Sequence, residues 1–71
     1  MGINNGLIIQ WASGQTPNKS VNIVFRISFN YNNSPLVSGS NVVFSQNWSK
    51  TGFTLISNTS NTYYCYLACG F

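Results

Sequence analysis

Acid–base catalysis near neutral pH needs a group that titrates there, most often His, Asp or Glu. The 71-residue chain has none of these: its titratable side chains are two cysteines, four tyrosines, two lysines and one arginine. A nucleophilic cysteine needs a neighbouring base and polarising surroundings. Cys65 and Cys69 lie instead in an apolar stretch of a chain without histidine. Calcium and magnesium sites want carboxylates, and the two thiols lack the second ligand pair that a structural zinc would need. We therefore expect no enzyme activity, no metal and no cofactor.

Binding chemistry is better supplied. Sugars are held by aromatic rings stacked on their apolar faces and by amides and hydroxyls bonded to their own hydroxyls. Trp11, Trp48, Tyr63, Tyr64 and Tyr66 provide the rings, and abundant Asn, Ser and Thr provide the rest. Residue type and strand face together single out Arg26, Trp48, Tyr64 and Tyr66 as candidate ligand contacts. The competing assignment for any one aromatic is core or subunit interface, and for Arg26 a solvated strand position.

Lys19, Arg26 and Lys50 are the only charged side chains, for a net charge of +3. Counterion release from several phosphates requires clustered cations, so no nucleic-acid partner is expected. Low charge with 15% aromatic residues argues against a disordered chain. No apolar run approaches the ~20 residues of a membrane-spanning helix, so no membrane insertion is expected. The N-terminus lacks the basic and apolar regions of a secretion signal, and Gly6 stands where myristoylation after Met1-Gly2 would want Ser or Thr. An intracellular or virion-associated product is the expectation. Without secretion, the glycosylation sequons at Asn18, Asn32, Asn47 and Asn58 carry no weight in a chain this rich in Asn, Ser and Thr.

These residues must be positioned by strands. Asn, Ser, Thr, Gly and β-branched residues disfavour helix, and period-two alternation is strong. From Val21 to Phe29 the residues Val21, Ile23, Phe25, Ile27 and Phe29 share one face, with Asn22, Arg26 and Ser28 on the other. Further strands are expected over Leu7–Ala12 (Leu7, Ile9 and Trp11 aligned), Asn41–Trp48 (Val42, Phe44, Gln46 and Trp48 aligned), Gly52–Ser57 (Phe53 and Leu55 aligned) and Thr62–Phe71. In the last, Tyr63, Cys65, Leu67, Cys69 and Phe71 oppose Tyr64, Tyr66 and Ala68, and both faces are apolar or aromatic. One face then meets the core and the other a neighbouring subunit. Turn residues fill Gly14–Ser20, Asn30–Pro35, Ser49–Gly52 and Asn58–Asn61. Short strands punctuated in this way imply one all-β domain, a small antiparallel β-sandwich spanning residues 1–71.

A domain this short buries only roughly 60% of the surface its unfolded chain exposes. Small folds compensate with disulfides, metals or partner subunits. Four residues of extended strand span about 13 Å, beyond the ~7 Å Cα limit for a disulfide. Cys65 and Cys69 are accordingly expected to be reduced, small and buried, and oligomerisation becomes the expected source of extra burial.

Four segments, in order, resemble the C-terminal domain of bacteriophage tail fibres. Asn5–Trp11 (NGLIIQW) is similar to the short strand that follows the fibre shaft, and Val21–Phe29 (VNIVFRISF) to the family's alternating Val/Phe/Ile strand. Trp48–Phe53 (WSKTGF) resembles its Thr-x-Gly-Phe turn, and Tyr63–Gly70 (YYCYLACG) its closing aromatic strand. The chain departs from that pattern at Ala12, Asn30, Cys65 and Cys69, and the section between Phe29 and Asn41 is compressed, so that one strand is short or missing. The pattern also resembles H-type lectins, which are trimeric sandwiches. The resemblance implies a homotrimeric, non-catalytic tip domain in the virion, made in the host cytoplasm, that contacts a host cell-surface glycan or protein. A structural cap or trimerisation module of a fibre, and a free-standing lectin-like domain, are the alternatives. Whether the chain is a fragment, an internal-start product or a separate gene is left open by its length and initial Met.

Overall fold

The computed structural model describes residues 6–71. Asn5, which opens the NGLIIQW segment, and the Met1-Gly2 pair lie outside them. Six strands run in the order β1 (Ile8–Gln15), β2 (Ser20–Val24), β3 (Leu36–Gly39), β4 (Val43–Gln46), β5 (Gly52–Ser57) and β6 (Tyr63–Gly70). They form two three-stranded antiparallel sheets, β1-β6-β3 and β2-β5-β4. The expected all-β antiparallel sandwich is the fold.

β5 and β6 are the central strands, and each dictates what its sheet turns inward. On β5, Phe53 and Leu55 point into the core beside their partners Ile23 and Val21 on β2. On β6, Tyr66 and Ala68 point inward from the other sheet. Phe25 and Phe29, just beyond β2, complete the buried apolar cluster. Phe25 lies edge-on to Phe29 at 5.1 Å between ring centroids, and Phe53 edge-on to Tyr66 at 5.3 Å. Such edge-to-face pairs add about 0.5–1.5 kcal/mol each beyond area burial.

Four features of the structure bear on the expected strands and thiols. The Val21–Phe29 segment is not one strand, because β2 ends at Val24. The inward alternation of Phe25 and Phe29 survives the break, since their amides donate to Thr51 O and Lys50 O, each at 2.8 Å. Ile27, between them, is bonded by a side chain. Gln10 donates Nε2–H to Ile27 O at 2.7 Å and accepts Ile27 N–H on Oε1 at 3.2 Å. That pairing settles the second, which way β1 faces: it turns Ile8 and the 2%-exposed Gln10 inward, and sends Trp11 outward. Third, in the compressed section between Phe29 and Asn41 the strand is short rather than missing: β3 is a four-residue element paired to β6. Fourth, Cys65 and Cys69 are free but exposed rather than buried.

At one end of the sandwich the loops are tied by buried hydroxyls. Thr16 N–H donates to Thr62 O at 2.8 Å, and Thr62 N–H returns a bond to Thr16 Oγ1 at 2.9 Å. Ser57 Oγ and Thr62 Oγ1 are 2.6 Å apart. Closer to the middle, Tyr64 of β6 lies against Gly14 of β1. A Cβ at Gly14 would come within 2.8 Å of the Tyr64 hydroxyl, so the ring's position depends on a missing side chain.

Leu55 is fully buried between the sheets. A chain of this length has a total stability of about 4–10 kcal/mol, and a Leu→Ala cavity in a core costs about 2–5 kcal/mol. Leu55→Ala should therefore remove much of the margin, seen as a large fall in the urea midpoint. Val24→Ser, at an exposed position on β2, should leave the midpoint nearly unchanged.

Candidate functional site

The outer faces of the two sheets differ in make-up, the β2-β5-β4 face setting a row of amides and hydroxyls beside the exposed Val24 and Phe44. On the β2-β5-β4 sheet, register aligns Asn22 with Thr54 and Thr54 with Gln46 across the three strands. Thr54 Oγ1–H donates to Asn22 Oδ1 at 3.0 Å, and Asn47 Nδ2–H donates to Thr54 Oγ1 at 3.5 Å. Asn47 reaches Thr54 because it closes β4 in the left-handed region, at φ 54°, which Asn tolerates better than most residues. Next to it, Trp48 donates its indole N–H to Ser45 Oγ at 2.8 Å, which fixes the ring while leaving it 48% exposed.

The turn that carries Trp48 is built by Ser49. Its hydroxyl accepts the amides of Thr51 and Gly52 at 3.2 and 3.1 Å and donates to Gly52 O at 3.0 Å. Gly52 is required there, since a Cβ would collide with the Ile23 carbonyl of β2. Asn22, Val24, Asn47, Ser49, Thr51 and Thr54 line a shallow groove of about 190 Å³. This volume lies below the ~300–1,000 Å³ typical of pockets for drug-sized ligands. Such a hollow offers amides and hydroxyls to a single small polar ring.

On the β1-β6-β3 sheet, register places Trp11, Leu67 and Leu36 side by side across all three strands. The next row is Ser13, Cys65 and Ser38. Trp11, Leu36 and Leu67 line a wide open groove of about 580 Å³. Lys19, Arg26 and Lys50 all lie off these strands, so the described part of this face bears no charge.

The four sequence-derived candidates do not form one site. Trp48 lies just past β4, held by Ser45, and does not line the groove of the β2-β5-β4 sheet. Arg26 is exposed just past β2, in the segment paired to the β4–β5 turn through Thr51 and Lys50. Tyr66 is only 7% exposed and belongs to the aromatic core, while Tyr64 is half-buried against it. Burial raises the Tyr66 hydroxyl above its ordinary value; the Tyr64 hydroxyl adds to the rise, and the Arg26 charge opposes it. Arg26, Tyr64 and Tyr66 thus share an electrostatic neighbourhood without sharing a surface. Sequence reading aligned Gln46 with Trp48 but missed Asn47 and Thr54. Asn22 was visible as the outward residue of an alternating strand, but its partners depend on pairing across the sheet.

No protein-family model, curated protein or solved structure matches the chain.

Because the Tyr66 hydroxyl titrates higher in the folded than in the unfolded protein, it supports the fold fully below the unfolded value of 10.0. That support is lost as pH rises through the folded value. In an alkaline titration followed by phenolate absorbance, the last step should disappear in Tyr66→Phe. The alkaline fall in melting temperature should be correspondingly shallower in that variant.

Proposed function

We propose that this chain is a non-catalytic receptor-binding module of the kind found at bacteriophage tail-fibre tips, acting as a homotrimer on a host cell-surface glycan or protein. The observation that carries the reading is the division of labour between the outer faces. An amide–hydroxyl row, flanked by Val24 and Phe44, occupies one side, and the apolar row of Trp11, Leu67 and Leu36 the other. A module that must both assemble and adhere needs two such surfaces. The ordered resemblance of four segments to fibre-tip domains points the same way, as does an inventory without carboxylate or imidazole.

The contact surface in this reading is the groove of Asn22, Asn47 and Thr54, with Trp48, next to Asn47 but outside the groove, and Arg26 as outlying contributors. Tyr64 and Tyr66 hold the sheet that carries the other face. Affinity per site is weak, because a shallow hydrated groove gains little beyond the entropy of holding its ligand. Three copies on one axis compensate, since later contacts become intramolecular. Amide and aromatic contacts are also insensitive to salt, unlike a cationic attachment screened beyond about 8 Å at physiological ionic strength.

Binding of the assembled protein to susceptible cells and to glycan arrays tests this reading. Trp48→Ala and Asn47→Ala should each weaken retention about tenfold or more, equivalent to ~1.4 kcal/mol, with little change between low and high salt. Absence of binding by the intact assembly would assign the chain to a structural cap. Binding abolished by modest salt would transfer the contact to Arg26 and Lys50.

A further inference from the structure

The apolar face of the β1-β6-β3 sheet has an occupant that the chain itself can supply. We infer that further copies of this chain cover it, Trp11 of one subunit packing into the groove beside Leu36 of the next, with Leu67 and Cys65 closed between them. This rests on the homotrimer in the proposed function and specifies the face that closes it.

Area makes the first argument. Trp11, Tyr63 and Phe71 are 68, 65 and 51% exposed. Aromatic side chains of about 150–250 Å² each then present roughly 300–450 Å² between them. Leu36 and Leu67, 73 and 42% exposed, enlarge it further. These residues are strung along β6, with Tyr63 and Phe71 at its two ends and the Trp11–Leu67–Leu36 row between. They sum to the upper range of patches on ordinary monomers, ~300–600 Å², a large part of the ~800 Å² each partner gives to a stable interface.

Charge makes the second. A bilayer surface is held by apolar area combined with cationic attraction to anionic lipid, and no cation lies on these strands. A strongly charged protein partner would find no counter-charge either. A second copy meets an uncharged face with an uncharged face.

Shape makes the third. The two flanks of β6 differ: β1 carries the large ring of Trp11 and β3 carries Leu36 beside the open groove. Unlike flanks can meet head to tail, and a head-to-tail contact that closes makes a ring. The core adds the motive. Among the described residues six hydrophobic ones are buried within the single chain, which leaves a domain of this size short of burial.

The exposed thiols of Cys65 and Cys69 lie on this face and report on it without any added label. The experiment is maleimide modification of the reduced protein across a dilution series, with sedimentation mass measured in parallel. In the assembled protein both thiols should react at least about tenfold more slowly than in the dilute monomer, as expected when fewer than one copy in ten is open. Trp11→Ser and Leu36→Ser should each release monomer and restore full reactivity. Both side chains are exposed in the single chain, so far-ultraviolet circular dichroism should show an intact fold. Val42→Ser, exposed at the other sheet's edge, should change neither mass nor reactivity. A monomer at micromolar concentration with fully reactive thiols would overturn the inference, as would assembly that Trp11→Ser leaves intact. A thiol-protected dimer would uphold this face and discard the three-fold symmetry. Cell binding by the Trp11→Ser monomer, presented densely on beads, reads the adhesive groove separately.

Discussion

Two three-stranded sheets of four to eight residues per strand offer little area for holding each other, and here the contact is concentrated in four rings. Phe25 is the hub: its centroid lies 5.1 Å from Phe29, 5.7 Å from Phe53 and 5.9 Å from Tyr66. Phe53 comes from the centre of one sheet, Tyr66 from the centre of the other, and Phe25 and Phe29 from the segment between β2 and β3. Each large ring brings more apolar area per ordered residue than an aliphatic side chain would. In a chain this short, that is how a core of six hydrophobic residues holds a sandwich closed.

Seating those rings forces polar groups inside, and the fold pairs most of them with uncharged side chains, the Asn33 Oδ1 being left without a partner. Ending β2 at Val24 lets Phe25 and Phe29 both turn inward, but leaves the Ile27 amide and carbonyl without a strand partner. Gln10 bonds both of them from the neighbouring sheet. Asn33 does comparable work at the far end of β6, donating its Nδ2–H to Cys69 O at 3.0 Å. Thr16 and Thr62 close the other end by exchanging backbone and hydroxyl bonds. An unpaired amide at any of these places would cost about 1–3 kcal/mol. The neutral amides and hydroxyls that dominate the composition are thus structural before they are anything else.

The same logic shapes the surface. With only three charges in the chain, the outer faces cannot be differentiated by sign and are differentiated by hydrogen-bonding capacity instead. The β2-β5-β4 face alternates amide and hydroxyl across its strands because Asn22, Gln46 and Thr54 fall in register. The β1-β6-β3 face is apolar because β6 has no polar parity to offer. Its inward set is Tyr64, Tyr66 and Ala68, so Tyr63, Leu67 and the two cysteines are left outside. The proposed adhesive and assembly roles follow this partition.

Much of this was legible in the sequence. The all-β sandwich, β5 from Gly52 to Ser57 with Phe53 and Leu55 inward, and the inward parity of Phe25 and Phe29 all follow from period-two alternation. So does the two-faced character of the last strand. What alternation could not decide were the cases where both parities look alike or where a partner is distant. Ile8 and Ile9 make either face of β1 plausible, and Gln10 became the buried choice because Ile27 needed its amide. β6 is apolar on both sides, so nothing local predicts that Tyr66 enters the core while Tyr63 stays out. Gly14 decides part of it by leaving room for Tyr64. β3 is only four residues long and ends in Gly39, too short for a pattern to declare itself. Trp48 was singled out by residue type, whereas Asn22, Thr54 and Gln46 came into one row only through cross-strand register. The sequence determined which residues alternate; the tertiary structure decided which side of each strand is inside, because that choice depends on hydrogen-bond partners and free volume supplied by residues far away in the chain.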